Sequence, residues 1–196
     1  MTIEKEAALI VFVKNPKIGK VKTRLAASIG KQAALDVYLK LLDHTRTITE
    51  KVSAQVHIFY SEFIDDADMW PDKIFIKHQQ TGAYLGERMQ NAFKEIFNIG
   101  YKKAVIIGSD CLELETENIN QAFRLLNNYD AVIGPAIDGG YYLMGMNRLI
   151  SAAFENKTWS TSSVFDETIK DFQAHKISWQ ELPYLKDVDT IDDLKG

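Results

Sequence analysis

Cysteine is nearly missing from this sequence of 196 residues. The lone Cys111 excludes an intramolecular disulfide and fits a reducing compartment. With no histidine near it in sequence, Cys111 is expected to be a small buried hydrophobe rather than a nucleophile. Positive charge is not in excess either. The formal net charge of −4 argues against a broad nucleic-acid-binding surface and against anionic membranes. No apolar run is long enough to span a bilayer, so no membrane insertion is expected. Met1–Glu6 has neither the basic nor the apolar region of a secretion signal, and a cytoplasmic location is expected. His44, His57, His78 and His175 follow no ligand spacing, which leaves no zinc signature and places them at the surface or core edge. Repeats, linkers and low-complexity segments are absent, so residues 1–196 are expected to form a single domain.

What is present alternates between strand and helix. Ala7–Val13 and Ala104–Ile107 are unbroken apolar runs, as suits parallel strands buried on both faces. The spacing predicts helices over 23–52 (broken near Gly30), 85–97, 116–127 and 164–175, with a helical stub from Thr190. Further strands are expected at 55–60 near a sheet edge, and at 73–77, 131–134, 141–146 and 177–182. This order implies an α/β fold with a mostly parallel, doubly wound sheet and one antiparallel insertion around 131–146.

Asp110 follows the central apolar run through Gly108 and Ser109, which places it at the carboxyl rim where α/β sheets bind ligands. It anchors a metal or polar ligand there, or it caps the helix after Thr116. Lys14, Lys17, Lys20, Lys22 and Arg24 crowd the loop after the first strand, where α/β proteins cradle phosphates. That loop matches neither a P-loop nor Gly-x-Gly-x-x-Gly, so cationic side chains, Lys22 and Arg24 above all, are expected to hold the anion. Of Asp187 and Asp189, one meets Asp110 and shares with it a hard divalent cation, or both serve a terminal helix cap. Asp138-Gly139-Gly140-Tyr141-Tyr142 reads equally as a tight hairpin or as a backbone open to a ligand with Asp138 as a base. Trp159-Ser160-Thr161 stacks on a sugar or base or caps the following helix, and capping is favoured.

Together these blocks resemble the DUF2064 family, provisionally described as glycosyltransferases. The resemblance rests on Phe12-x-Lys14-x-Pro16-x-x-Gly19-x-x-Lys22-Thr-Arg-Leu25, Gln80-x-Gly82-x-x-Leu85-Gly-Glu-Arg88-Met89 and Gly108-Ser-Asp-Cys111. Gly134-Pro-Ala-x-Asp138-Gly-Gly-Tyr-Tyr142 and Asp187-Val-Asp-Thr190 complete it. Leu112 stands where the family usually has proline, and Thr190-Ile-Asp-Asp-Leu194 replaces its usual helix start. The resemblance implies a GT-A, nucleotide-diphospho-sugar transferase fold: a Rossmann-like three-layer α/β/α arrangement with a mixed sheet. It implies Asp110 and Asp189 as ligands of Mg²⁺ or Mn²⁺. Lys14, Gly19, Lys22 and Arg24 would bind phosphate, and Gln80, Gly82 and Arg88 the nucleotide. Relatives linked to arsenosugar biosynthesis point to glycosyl transfer.

The expected activity is metal-dependent transfer of a sugar from a nucleotide-sugar to a small-molecule acceptor. Asp138 and Asp110 would be catalytic, and Gly139, Gly140, Tyr141 and Trp159 would contact substrate. The alternative is nucleotidyl transfer from a nucleoside triphosphate to a phosphorylated substrate with release of pyrophosphate. A non-catalytic nucleotide-binding protein is a lesser alternative.

Overall fold

The computed structural model describes residues 5–194. Lys5–Val13 forms β1, and its apolar run is sandwiched between parallel neighbours. After a basic loop come two helices, α1 (Thr23–Ile29) and α2 (Lys31–Thr49), separated at Gly30 as the sequence predicts. Then follow β2 (Gln55–Tyr60), β3 (Phe75–Gln79), α3 (Leu85–Ile99) and β4 (Tyr101–Ile107). The chain continues through α4 (Thr116–Leu125), β5 (Ala131–Pro135), β6 (Tyr141–Met146), α5 (Val164–Ala174) and β7 (Trp179–Glu181).

The seven strands lie in the order β3-β2-β1-β4-β6-β5-β7. All neighbours pair in parallel except β6, which runs against both β4 and β5. One reversed strand in a mixed, mostly parallel sheet is the expected α/β architecture. Alternate side chains of the central strands feed two cores. Leu9, Val11, Val105 and Ile107 pack with Tyr38 and Leu41 of α2 and Ile119 of α4. Ala8, Ile10, Ala104 and Ile106 pack with Phe93 and Ile96 of α3 and Phe172 of α5. Helices therefore cover both faces, and the three layers are complete.

Several boundaries differ from expectation. The edge strand β3 starts at Phe75 rather than Lys73, because Ile74 and Phe75 donate their N–H groups to the Pro71 carbonyl and form a turn first. β2 is not an edge strand. It lies between β1 and β3, and Val56–Tyr60 are buried. β7 has only three residues, and the expected terminal helix is a 3-10 turn over Ile191–Leu194.

The histidines bring the largest surprise. His57 is buried in β2 at 1% exposure, and its Nδ1 lies 2.9 Å from His78 Nε2 on β3. His78 Nδ1 is in turn 2.7 Å from Glu95 Oε1, and His57 Nε2 is 3.1 Å from the Tyr101 hydroxyl. An ionised carboxylate only accepts, so Glu95 sets the direction of the chain. His78 donates to Glu95, and with a neutral His78 ring His57 donates to His78 and Tyr101 to His57.

Burial drives the His57 pKa down to about 3, with the charges of His78 and Lys5 adding to the effect. The folded state therefore binds fewer protons than the unfolded one between pH ~6.5 and pH ~3. Stability from this site is full above that window and falls as the pH drops through it. Between pH 7 and pH 5 the wild type is expected to lose about 2 kcal/mol more than His57→Gln, in urea unfolding followed by circular dichroism. Equal losses in the two proteins would refute the buried, neutral imidazole.

Candidate active site

The loops after β1, β4 and β5 and the segment after β7 all reach the carboxyl rim of the sheet. A cleft of about 870 Å³ opens there. Its floor is the end of β4, where Ser109 is buried and Asp110 half-exposed. Asp110 does not cap the next helix. Glu115 stands at that position, with its N–H donated to Asn118 Oδ1 at 2.9 Å.

Lys22 reaches into this floor from the basic loop. Its backbone is left-handed (φ 46°, ψ 48°), a sparsely populated conformation for a residue with a Cβ. Its side chain is 5% exposed, and Nζ lies 2.8 Å from Asp110 Oδ1 and 3.0 Å from Asp189 Oδ1. The Arg24 guanidinium adds a longer contact of 3.7 Å to Asp189 Oδ2 from a solvent-exposed position. Burial alone would lower the Lys22 pKa, but Asp110 and Asp189 outweigh it and hold the ammonium above its ordinary value. Asp187 lines the same floor. Burial pushes its carboxyl up to about 7, and repulsion from Asp110, Asp138 and Asp189 adds to this against the opposing charge of Lys22.

The C-terminal segment is fixed independently of these charges. Val188 is buried and its N–H donates to the Asp110 carbonyl at 2.8 Å. The Asp193 carboxylate accepts the N–H groups of Asp189 and Thr190. Lys186 Nζ, 3.0 Å from Asp193, joins them in holding that carboxyl far below the usual range despite the cost of its partial burial.

These residues also decide whether a divalent cation suits the site. Asp110, Asp187 and Asp189 offer oxygen alone, the donor chemistry of Mg²⁺ or Mn²⁺. Among the described residues no cluster of three or more His, Cys, Asp or Glu forms a metal cage. A site of that composition fits a cation held by one or two carboxylates and completed by substrate phosphates.

The expected site residues divide cleanly. Asp110, Asp138 and Asp189 line the cleft, as do Lys14, Lys22, Arg24, Gln80, Arg88, Gly140, Tyr141 and Trp159. Gly19, Gly82 and Gly139 do not, and each has a backbone role instead. Gly19 turns the basic loop at φ +72°, against the Lys31 side chain. The Gly82 carbonyl accepts Arg88 Nε–H at 3.0 Å. A Cβ on Gly139 would stand 2.1 Å from the Ser162 carbonyl oxygen, so only glycine lets the 138–140 turn seat against that segment. Gln80 lines the cleft, but its amide nitrogen is committed to the carbonyls of Phe59 (2.8 Å) and Val13 (3.3 Å). Its carbonyl oxygen is the part left to meet a ligand.

Trp159 does not cap α5, which starts after Ser163 without a side-chain cap. Its indole lies on the first turn of α3, where a Cβ on Gly86 would be 2.3 Å from the ring. Tyr141 stands edge-on to it at 6.5 Å. Cys111 is buried, and burial pushes its thiol up to about 12, which removes it as a nucleophile at neutral pH.

Sequence reasoning missed Tyr38. From α2 its buried hydroxyl accepts the Lys14 N–H at 2.8 Å and lies 3.1 Å from the Lys14 carbonyl and 3.4 Å from Ser109 Oγ. One phenol thus ties the basic loop to the end of β4. A tyrosine at an apolar helix position carries no local mark of such a role. Tyr38→Phe is expected to cost about 1 kcal/mol, a melting temperature lower by roughly 2–4 °C by calorimetry. An unchanged melting temperature would show that the hydroxyl does not hold the loop.

Comparison with known proteins agrees with this fold. A protein of Desulfovibrio desulfuricans G20, provisionally named a nucleotide-diphospho-sugar transferase, is 34% identical. It superposes with a TM-score of 0.89 over 97% of this chain and 85% of its own. The inositol-1-phosphate CTP transferase of T. maritima shares the fold at 12% identity and a TM-score of 0.64, over 98% of this chain and 93% of that one. Rv0371c of Mycobacterium tuberculosis H37Rv, solved with manganese, also shares the fold, at 12% identity and a TM-score of 0.57 over 97% and 96% of the two chains. No curated protein sequence matches. The model of DUF2064, a family described as uncharacterized proteins conserved in bacteria, matches residues 44–161, more than half of the sequence. With both the family model and a relative of this identity in agreement, the chain belongs to the DUF2064 family.

Proposed function

We propose that this protein is a divalent-metal-dependent glycosyltransferase, moving a sugar from a nucleotide-diphospho-sugar to the hydroxyl of a small-molecule acceptor. The observation that carries this reading is the division of charge across the cleft. Lys14, Lys20 and Lys22 come from the loop after β1, Arg24 from the start of α1 and Arg88 from α3. A second wall, built from the β5–β6 turn and residues 159–164, brings Asp138, Gly140, Tyr141, Trp159–Ser162 and Val164 to the cleft and no cation of its own. A diphosphate suits the first wall. An uncharged acceptor suits the second, where a phosphorylated one would face a carboxylate.

In this reading Lys14, Lys22 and Arg24 bind the diphosphate, and Tyr141 and Trp159 offer aromatic faces to sugar or acceptor. Asp110 and Asp189, with Asp187 beside them, would hold Mg²⁺ or Mn²⁺, which supplies neutralisation of charge on the departing diphosphate. Asp138 Oδ1 accepts the Gly140 N–H at 2.9 Å, which orients the carboxylate and leaves Oδ2 for the acceptor hydroxyl. The acceptor oxygen forms its bond to the anomeric carbon, its proton passes to Asp138, and the bond to the diphosphate oxygen breaks.

A second reading, nucleotidyl transfer, draws on Lys14, Lys20, Lys22 and Arg24 all lining the cleft. Four cations suit a triphosphate as well as a diphosphate. The fold likeness to a CTP transferase is compatible with it.

Thermal shift separates these readings. Nucleoside diphosphates, nucleotide-sugars and nucleoside triphosphates are tested with and without Mn²⁺ on wild type and Asp110→Ala. A ligand at ~100 times its dissociation constant stabilises by roughly 2.7 kcal/mol. The expected result is Mn²⁺-dependent stabilisation by a nucleotide-sugar that is lost in Asp110→Ala. Preference for a triphosphate supports nucleotidyl transfer, binding indifferent to Mn²⁺ and to Asp110 supports a non-catalytic role, and no shift with any nucleotide sinks all three. Once a donor is known, Asp138→Asn is expected to lower kcat by about 10²–10⁴ while leaving the donor-induced shift intact. Parallel loss of donor binding would remove Asp138 from the role of base.

A further inference from the structure

Lys22 holds a position that a divalent cation would also claim. Its Nζ stands within 3.0 Å of one oxygen of Asp110 and one of Asp189, and its side chain is almost wholly buried. A hard cation bridging those carboxylates needs oxygen ligands at about 2.0–2.6 Å. Ammonium and dication cannot both occupy the gap, because like charges a few ångströms apart in a partly dry site repel strongly. Binding the metal therefore requires the ammonium to leave. Having left, it needs another anion, since an unpaired buried charge is costly. Lys14, Lys20 and Arg24 line the same cleft, so an anion drawn to them enters the cleft that holds Lys22.

We propose that Lys22 is a built-in stand-in for the divalent cation, released from Asp110 and Asp189 to the phosphates when a nucleotide binds. Free protein then binds the metal weakly, and nucleotide and metal bind with positive coupling, each raising the affinity of the other by the same factor. The inference rests on the nucleotide-transferase reading above but concerns the order and coupling of binding rather than the group transferred. Lys22 is also a positioning residue here. In the free protein it keeps Asp110 and Asp189 facing one another.

The test uses Mn²⁺ alone, with binding followed by electron paramagnetic resonance of free Mn²⁺ in the absence of nucleotide. Lys22→Gln is expected to bind Mn²⁺ at least tenfold more tightly than wild type, because the carboxylates have lost their internal cation. Lys22→Arg keeps a cation in the gap and is expected to bind Mn²⁺ as weakly as wild type. Equal Mn²⁺ affinity in wild type and Lys22→Gln overturns the proposal. The transferase reading still stands in that case if Mn²⁺-dependent stabilisation by nucleotide persists in wild type. Absence of any nucleotide stabilisation overturns both. A measurement on wild type alone guards against a misfolded variant: a crystal structure with Mn²⁺ and a nucleoside diphosphate. Nζ is expected on a phosphate oxygen and out of contact with Asp110. An ammonium still bridging Asp110 and Asp189 there overturns the exchange.

Discussion

Carboxylates gathered at one end of a sheet repel, and Asp110, Asp187 and Asp189 share the floor of one cleft with positive charge built in among them. The Lys22 ammonium is that charge, and much of the surrounding structure serves to deliver it. The basic loop adopts a left-handed turn at Lys22 itself, and Tyr38 fastens the loop's first residue to the end of β4. The contact from Lys22 to Asp189 joins residues 167 apart in sequence. Such a tie cannot hold the C-terminal segment by itself, because an ion pair returns little once desolvation is counted. Val188 in the core, its N–H on the Asp110 carbonyl and the Asp193 staple also hold Asp189 in place. The ion pair settles which way the carboxylates face.

The strands were legible wherever burial on both faces left an unambiguous signal. Ala7–Val13 and Ala104–Ile107 are apolar without alternation, and both became central strands. Asp110 was legible for the same reason, since a carboxylate just past a central strand has few places to go but the rim. Elements at the sheet margins were less so. β3 and β7 are short and half-exposed, so local turns such as the one closed by the Pro71 carbonyl move their ends by a residue or two.

Three kinds of feature escaped the sequence. The first is a partnership between residues far apart in the chain. His57 and His78 pair because β2 and β3 lie side by side in a register that puts His78 opposite Phe59, two residues along from His57 on the same face. The second is a polar atom on an apolar residue: Tyr38 fits the helix pattern as a hydrophobe, and its hydroxyl matters only because Lys14 and Ser109 meet there. The third is the work of a missing side chain. Gly82 and Gly139 look like ligand-facing glycines, yet the first lends a carbonyl to Arg88 and the second makes room for the Ser162 backbone. Gly86, inside the Leu85–Met89 block, has a packing role the sequence does not reveal: its bare Cα lets the Trp159 indole lie over α3.

The reversed strand explains why chemistry of such different kinds meets in one cleft. In a purely parallel sheet, each strand brings only the loop that follows it to the carboxyl rim. β6 runs the other way between β4 and β5, with Leu143 opposite Ile107, so its beginning rather than its end lies beside Asp110. The whole β5–β6 turn, with Asp138 and Gly140, is thereby brought to the rim, and Tyr141 opens the strand within the cleft. Most cations come from the loop after β1 and the start of α1 on one flank, carboxylates from the end of β4 and the segment after β7 at the centre, and Asp138 with the aromatic wall from the other flank. A parallel β6 would begin at the opposite edge of the sheet and would carry Tyr141 away from Asp110. The single antiparallel strand therefore sets Asp138 and the aromatic side chains beside the charged floor of Asp110, Asp187 and Asp189.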